Sequence, residues 1–98
     1  RIDSAKWSEA NATAGTIRSA VRVYYAEKGS APKGSLSNKD TQKKLGFSVA
    51  DLTGTYFDPK DYSIDRVDKN GNAQITVTGS KANAPSGSKT LYTDGRWE

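Results

Sequence analysis

The chain contains no cysteine, no histidine and no methionine. Without cysteine there is no disulfide framework, no thiolate metal site and no thiol nucleophile, and an extracellular location stays open. Without histidine as well, the usual nucleophile and base pairs of acyl transfer are missing, which leaves only serine–lysine or carboxylate schemes. The absence of methionine fits either excision from a longer protein or N-terminal processing. No stretch is long and apolar enough to cross a membrane or to serve as a signal peptide. Hydrophobic residues make up only 34% of the chain, below the usual globular range, so long polar loops are expected.

At 98 residues the chain is one domain, with room for a single modest core and too small for a deep cleft between domains. The apolar residues are grouped into periodic runs, so the chain is expected to fold. The formal net charge of +4 is spread as +2 over residues 1–28, +2 over 29–60 and zero over 61–98, with acids interleaved throughout. That is a weak basic bias rather than the clustered Lys/Arg face that nucleic-acid binding requires, and no specific nucleic-acid partner is expected.

The first 28 residues carry the strongest pattern. Asp3, Trp7, Ala10, Ala14, Ile17, Val21 and Tyr24 are spaced four and three in alternation, the stripe of an amphipathic helix or coiled-coil seam. Gly29 closes the helix, with Lys28 in the last turn where a cation suits the helix dipole. No Ser, Thr, Asp or Asn cap precedes Ile2, so the pattern is already running at its first residue and a helix continuing upstream is expected. The helix over 1–28 would be roughly 40 Å long at about 1.5 Å per residue.

Residues 29–55 read as a connecting loop with short helices: Ser37 or Asn38 caps one that ends at Gly46, and Ser48 caps a further turn ending at Gly54. Residues 56–98 form an antiparallel sheet and a C-terminal loop. DYSIDRVD, KNGN and AQITVTG make a hairpin in which Ala73, Ile75 and Val77 share one face, and Asn70-Gly71 predicts a type I′ turn. Tyr62 and Ile64 share a face while Val67 falls out of phase, which predicts a bulge or an early strand end. A last short strand lies in KTLYTD, and a turn at Asp94-Gly95 returns Trp97 towards the sheet or helix. The fold class is therefore α+β, a long N-terminal helix packed on a small three- to four-stranded antiparallel sheet, with residues 1–98 as a single domain.

The chemistry-bearing motifs are weak. The pairs Asp58/Asp61 and Asp65/Asp68 have the residue types for acid–base catalysis, but turn and strand positions account for them better, and the chain is not expected to be an enzyme. Asp68, Asn70 and Gly71 match the third, fifth and sixth positions of an EF-hand loop, while Arg66 and Val77 stand where its first carboxylate and its bidentate glutamate belong. No cofactor is expected, and calcium has no motif to support it. Asn11-Ala12-Thr13 fits the glycosylation pattern but falls inside the predicted helix. Most aromatics, including Tyr24, Tyr25, Tyr56, Phe57, Tyr62, Tyr92 and Trp97, belong to the core of a chain so poor in other large residues. Trp7 is set apart as an exposed interface residue.

The texture AKWSEANATAGTIRSAVRVYYAEKGSAP, followed by YFDPKDYSIDRVDKNGNAQITVTG and TLYTDGRW, resembles the soluble domain of a type IV pilin or type II secretion pseudopilin. The resemblance spans the whole chain as a pattern. It implies a cleaved leader and a hydrophobic segment of roughly 25 residues upstream, continuous with the helix. It implies a structural subunit of the bacterial cell envelope, anchored in the inner membrane before assembly and periplasmic or extracellular in the filament afterwards. Its partners would be copies of itself, other pilins or pseudopilins, and the assembly machinery. Small size and a simple β region lean towards the pseudopilin group. The chain lacks the C-terminal disulfide of many pilins, and only Asp94 and Glu98 offer anionic ligands where major pseudopilins often bind calcium.

On this basis Trp7, Ala10, Ala14, Arg18 and Arg22 are expected at a subunit interface, with Asp3 and Glu9 helping to set register. Ile17, Val21, Tyr24, Tyr62, Ile64, Ile75 and Val77 are expected in the helix–sheet core. The stretch from Ile2 to Ala14 should stay bare in a single subunit, so that replacing Trp7 leaves stability nearly unchanged whereas replacing Val21 unfolds the domain. The alternative from another class is a nucleic-acid or polysaccharide binding module that uses sheet aromatics and lysines.

Overall fold

The computed structural model describes residues 2–98, with side chains from residue 4 onward; the expectations for Ile2 and Asp3 side chains lie outside the described residues. The long helix α1 (Ile2–Lys28) ends where Gly29 turns left-handed and its amide donates to the Tyr25 carbonyl at 2.8 Å. The connecting segment holds a two-residue strand, β1 (Gly34–Ser35), and two short helices, α2 (Lys39–Leu45) and α3 (Val49–Leu52). Of the two candidate caps for α2, Asn38 does the work: its side chain accepts from the amides of Asp40 and Thr41 at 2.9 and 3.2 Å. Ser48 and Asp51 form a capping box at the start of α3. Buried Gln42 donates to the Leu36 carbonyl at 2.8 Å and fastens α2 to the end of β1.

After a 3₁₀ turn (Pro59–Asp61) come β2 (Tyr62–Val67), β3 (Ala73–Thr78) and β4 (Ser88–Leu91). The four strands form an antiparallel meander in chain order. β1 carries no alternation in its sequence; it exists because Gly34 and Ser35 pair with Ile64 and Ser63 of β2 and so seat Leu36, fully buried, in the core. The out-of-phase Val67 is resolved by a bulge at Asp65, which has no partner between the Ile64–Ile75 and Arg66–Gln74 pairs. The hairpin turn differs from the type I′ expectation, because only Gly71 has positive φ (85°) and Asn70 does not. The Asp68 carboxylate accepts the amides of Asn70 and Asn72, both at 2.9 Å, and stabilises a right-handed turn before the single left-handed glycine. Those two amides, Asn72 first, hold the Asp68 carboxyl below its usual range.

The core lies between α1 and the inner face of the sheet. Ala73, Ile75 and Val77 of β3 and Tyr62 and Ile64 of β2 are buried, and opposite them Ile17 and Val21 are fully buried on the helix. The expected division of α1 does not survive. Ala10 and Ala14 are also fully buried, and Trp7 is only 8% exposed. The Trp7 ring lies 5.4 Å from that of Phe57 and 6.1 Å from that of Trp97, centre to centre. Two segments without regular structure, residues 53–58 and the C-terminal turn, cover the half of the helix that was expected to stay bare. Trp97 is positioned there by a bridge to Leu91 on β4. Tyr24, expected in the core, is only half-buried, and the neighbouring Val23 is 61% exposed.

The expected energetic contrast between Trp7 and Val21 therefore disappears, because both are buried in one core. Trp7→Ala should cost about 3–5 kcal/mol of unfolding free energy and Ile17→Ala about 2–5 kcal/mol, since both open cavities in the same core. Urea unfolding of the purified domain checks this; a Trp7→Ala midpoint equal to wild type would restore the bare-helix picture.

Candidate interaction surface of the N-terminal helix

Polar clasps reinforce the seating of α1. The Glu9 carboxylate accepts three consecutive backbone amides, Thr55 and Tyr56 at 3.0 Å and Phe57 at 3.1 Å. A Cβ at Gly54 would run into that carboxylate, so glycine is the residue that lets the loop close around it. One turn earlier, Lys6 donates to the Asn83 carbonyl at 2.7 Å and lies over the Tyr56 ring. Further along, Arg18 donates through Nη2 to the Thr93 carbonyl at 2.8 Å. Glu9 and Arg18, expected to meet neighbouring subunits, are thus engaged within the domain. Of the five expected interface residues, Trp7, Ala10 and Ala14 are buried and Arg18 is half-buried; only Arg22 stands exposed.

The helix face pointing away from the sheet is a different set. Ser4, Ser8, Ala12, Thr16 and Ser19 are exposed along it and lead to Arg22, Val23 and Ala26. These side chains are small and uncharged until Arg22, which allows another backbone to come close. Nothing in the apolar periodicity pointed to this face, because it is defined by small size rather than by hydrophobicity.

The carboxylates weighed as catalysts serve the fold. Asp61 is buried; its Oδ2 accepts the Asp58 amide at 2.9 Å and its Oδ1 the Ser80 hydroxyl at 2.5 Å. Asp58 pairs with Lys81 at 3.6 Å, and Asp65 takes the Thr76 hydroxyl. Among the described residues no three carboxylates converge as metal ligands would. A shallow open groove lies beside α2, lined by Ser37, Lys39, Gln42, Val49, Pro59 and Lys60. The outer sheet face presents Ser63, Gln74, Thr76, Thr78, Ser88 and Thr90, while Trp7, Phe57 and Tyr62 are buried in the core. Asn11 of the glycosylation pattern lies within α1, exposed. Comparison of the chain with protein-family models, with characterised proteins and with solved structures finds no match.

The Glu9 clasp makes a measurable contribution. Glu9→Ala leaves three amides without their acceptor and should destabilise the domain by about 1.5–3 kcal/mol, whereas exposed Glu27→Ala should stay within about 0.5 kcal/mol of wild type. Equal effects in denaturant unfolding would remove the clasp from the account.

Tyr62 adds a pH dependence. Burial pushes its phenol from about 10 up to about 12, outweighing a hydrogen bond with Thr13 that pulls it down. The folded state therefore holds this proton more tightly than the unfolded chain. The resulting stability is intact below pH 10 and is lost as pH rises through 12. Unfolding followed over that window should show a shallower alkaline loss in Tyr62→Phe than in wild type; identical slopes would contradict it.

Proposed function

We propose that this domain is the globular part of a filament subunit of the type IV pilin or type II secretion pseudopilin kind. The observation that carries this is the form of α1. It is a single helix of 27 residues in a domain 39 Å long, sealed on one side by a four-stranded antiparallel meander and two irregular segments and lined on the other by small side chains. Such a helix is a rod already attached to its head, and its free side is shaped for close lateral packing against another helix. Subunits would then stack through Ser8, Ala12, Thr16 and Ser19, with Val23 adding apolar contact and Arg22 fixing register. Exposed ion pairs contribute only about 0–1 kcal/mol each, so Arg22 would select geometry more than supply affinity.

In this proposal the filament is built from copies of this chain, alone or with related subunits. A hydrophobic segment upstream anchors each subunit in the inner membrane until an assembly machine extracts it. The clasps at Lys6, Glu9 and Arg18 give that process a rigid unit, since a helix pulled by one end would otherwise peel from a sheet that it touches through few large residues.

Ala12→Arg and Ser19→Arg, made in the full-length protein, place bulky charge on the exposed face while leaving the domain's unfolding free energy within about 0.5 kcal/mol of wild type. Electron microscopy of the producing cells should show filaments lost in both variants and kept in Lys69→Ala, on the opposite hairpin tip. Normal filaments in the arginine variants would rule out this face, and absence of any filament containing the wild-type chain would rule out the proposal.

A further inference from the structure

The turn between β2 and β3 combines an exposed asparagine with a following glycine. Asn70 is exposed, its own amide is held by Asp68, and its side chain makes no hydrogen bond among the described residues. The other four asparagines are restrained. Asn38 caps α2, Asn83 donates to the Thr55 carbonyl at 3.2 Å, half-buried Asn72 donates to Asp68, and Asn11 sits inside α1. Each of those four is followed by a residue bulkier than glycine. Asp94-Gly95 offers the same dipeptide geometry in acid form, but the Arg96 amide, at 3.0 Å, and its Nε, at 2.9 Å, hold that carboxylate. The Arg96 amide first, then its side chain, keep the Asp94 carboxyl below its usual range, and an ionised carboxylate is a poor electrophile.

We propose that Asn70 is a site of spontaneous deamidation and isoaspartate formation in the folded protein. The Gly71 backbone nitrogen attacks Asn70 Cγ; a carbon–nitrogen bond forms, and the side-chain amide leaves as ammonia, taking with it the proton from the Gly71 amide. Water then opens the succinimide at either carbonyl, giving aspartate or isoaspartate. The Gly71 amide donates to the Asp68 carbonyl at 3.0 Å, so attack begins when that one turn bond opens. Asn70 is exposed and this is one bond at the end of a two-strand hairpin, so its local opening takes only part of the global unfolding free energy. The product matters because Gly71 is buried against α1: a Cβ there would lie 3.0 Å from Tyr25 Cδ1. Isoaspartate lengthens the main chain by one carbon immediately before this seat and pushes the turn off the end of the helix.

The test is ageing of the intact protein at neutral pH, with peptide mapping by mass spectrometry and labelling by an isoaspartyl methyltransferase. Amide loss at Asn70 should outpace that at Asn11, Asn38, Asn72 and Asn83 by an order of magnitude or more. The isoaspartate form should predominate and melt at lower temperature, and Asn70→Gln should remove the acidic species. Retention of the Asn70 amide in the folded protein while a urea-unfolded sample loses it would show that the Gly71 turn bond protects the site and would overturn the proposal. Equal loss at all five asparagines would overturn it as well.

Discussion

Three backbone amides converging on one carboxylate decide how this domain closes. By accepting from Thr55, Tyr56 and Phe57, Glu9 holds an irregular loop against the second turn of the helix. That loop delivers Phe57 onto Trp7, and Trp7 in turn meets Trp97 from the other end of the chain. The N-terminal half of α1 is therefore covered by segments that have no regular structure of their own. Their backbone amides would otherwise be left to water at the edge of an apolar surface, and satisfying them at a helix carboxylate couples polar satisfaction to core closure.

The core is built economically. Only about a third of the chain is hydrophobic, and two of the buried core residues of α1 are alanines. Ala10 and Ala14 are fully buried between Ile17 and Val21 on one side and the aromatic group around Trp7 on the other. Buried polar groups extend the same economy: Gln42, Thr41 and Asp61 are buried, and Gln42 and Asp61 each secure a loop or strand end. With the inner face of the helix spent on its own domain, any contact with other molecules falls to its outer face, where small residues run from Ser4 to Ser19. That relocation is the main consequence of the structure for the proposed filament role, since the buried stripe and the outer face differ in both chemistry and geometry.

Much of the architecture was legible from local pattern. The four-three spacing from Trp7 to Val21 marks one helix face, the cap at Ser48 and the choice of Ser37 or Asn38 before α2 are local side-chain chemistry, and the two-residue period of Ala73, Ile75 and Val77 marks a strand face. The break in phase at Val67 announced a bulge. Other features were not legible. β1 consists of Gly34 and Ser35, which gain their strand conformation only from a partner nearly thirty residues away. The turn at Asn70-Gly71 took a right-handed form because the Asp68 carboxylate competes for the amides, an interaction that dipeptide preference does not contain. Glu9 was expected to set register at a subunit interface and Gly54 to end a turn; that the two meet is a contact between distant parts of the chain which no local pattern contains.

The amino-acid sequence by itself determined the helix, its inward stripe, the strand faces and the caps, because each depends on residues within a few positions of one another. Which part of the helix is covered, and hence which part is free, was decided only by tertiary structure. Trp7 has the same spacing whether it meets a neighbouring subunit or its own Phe57 and Trp97. The choice rests on the loops at 53–57 and 92–97, whose ordering comes from contacts made across the fold.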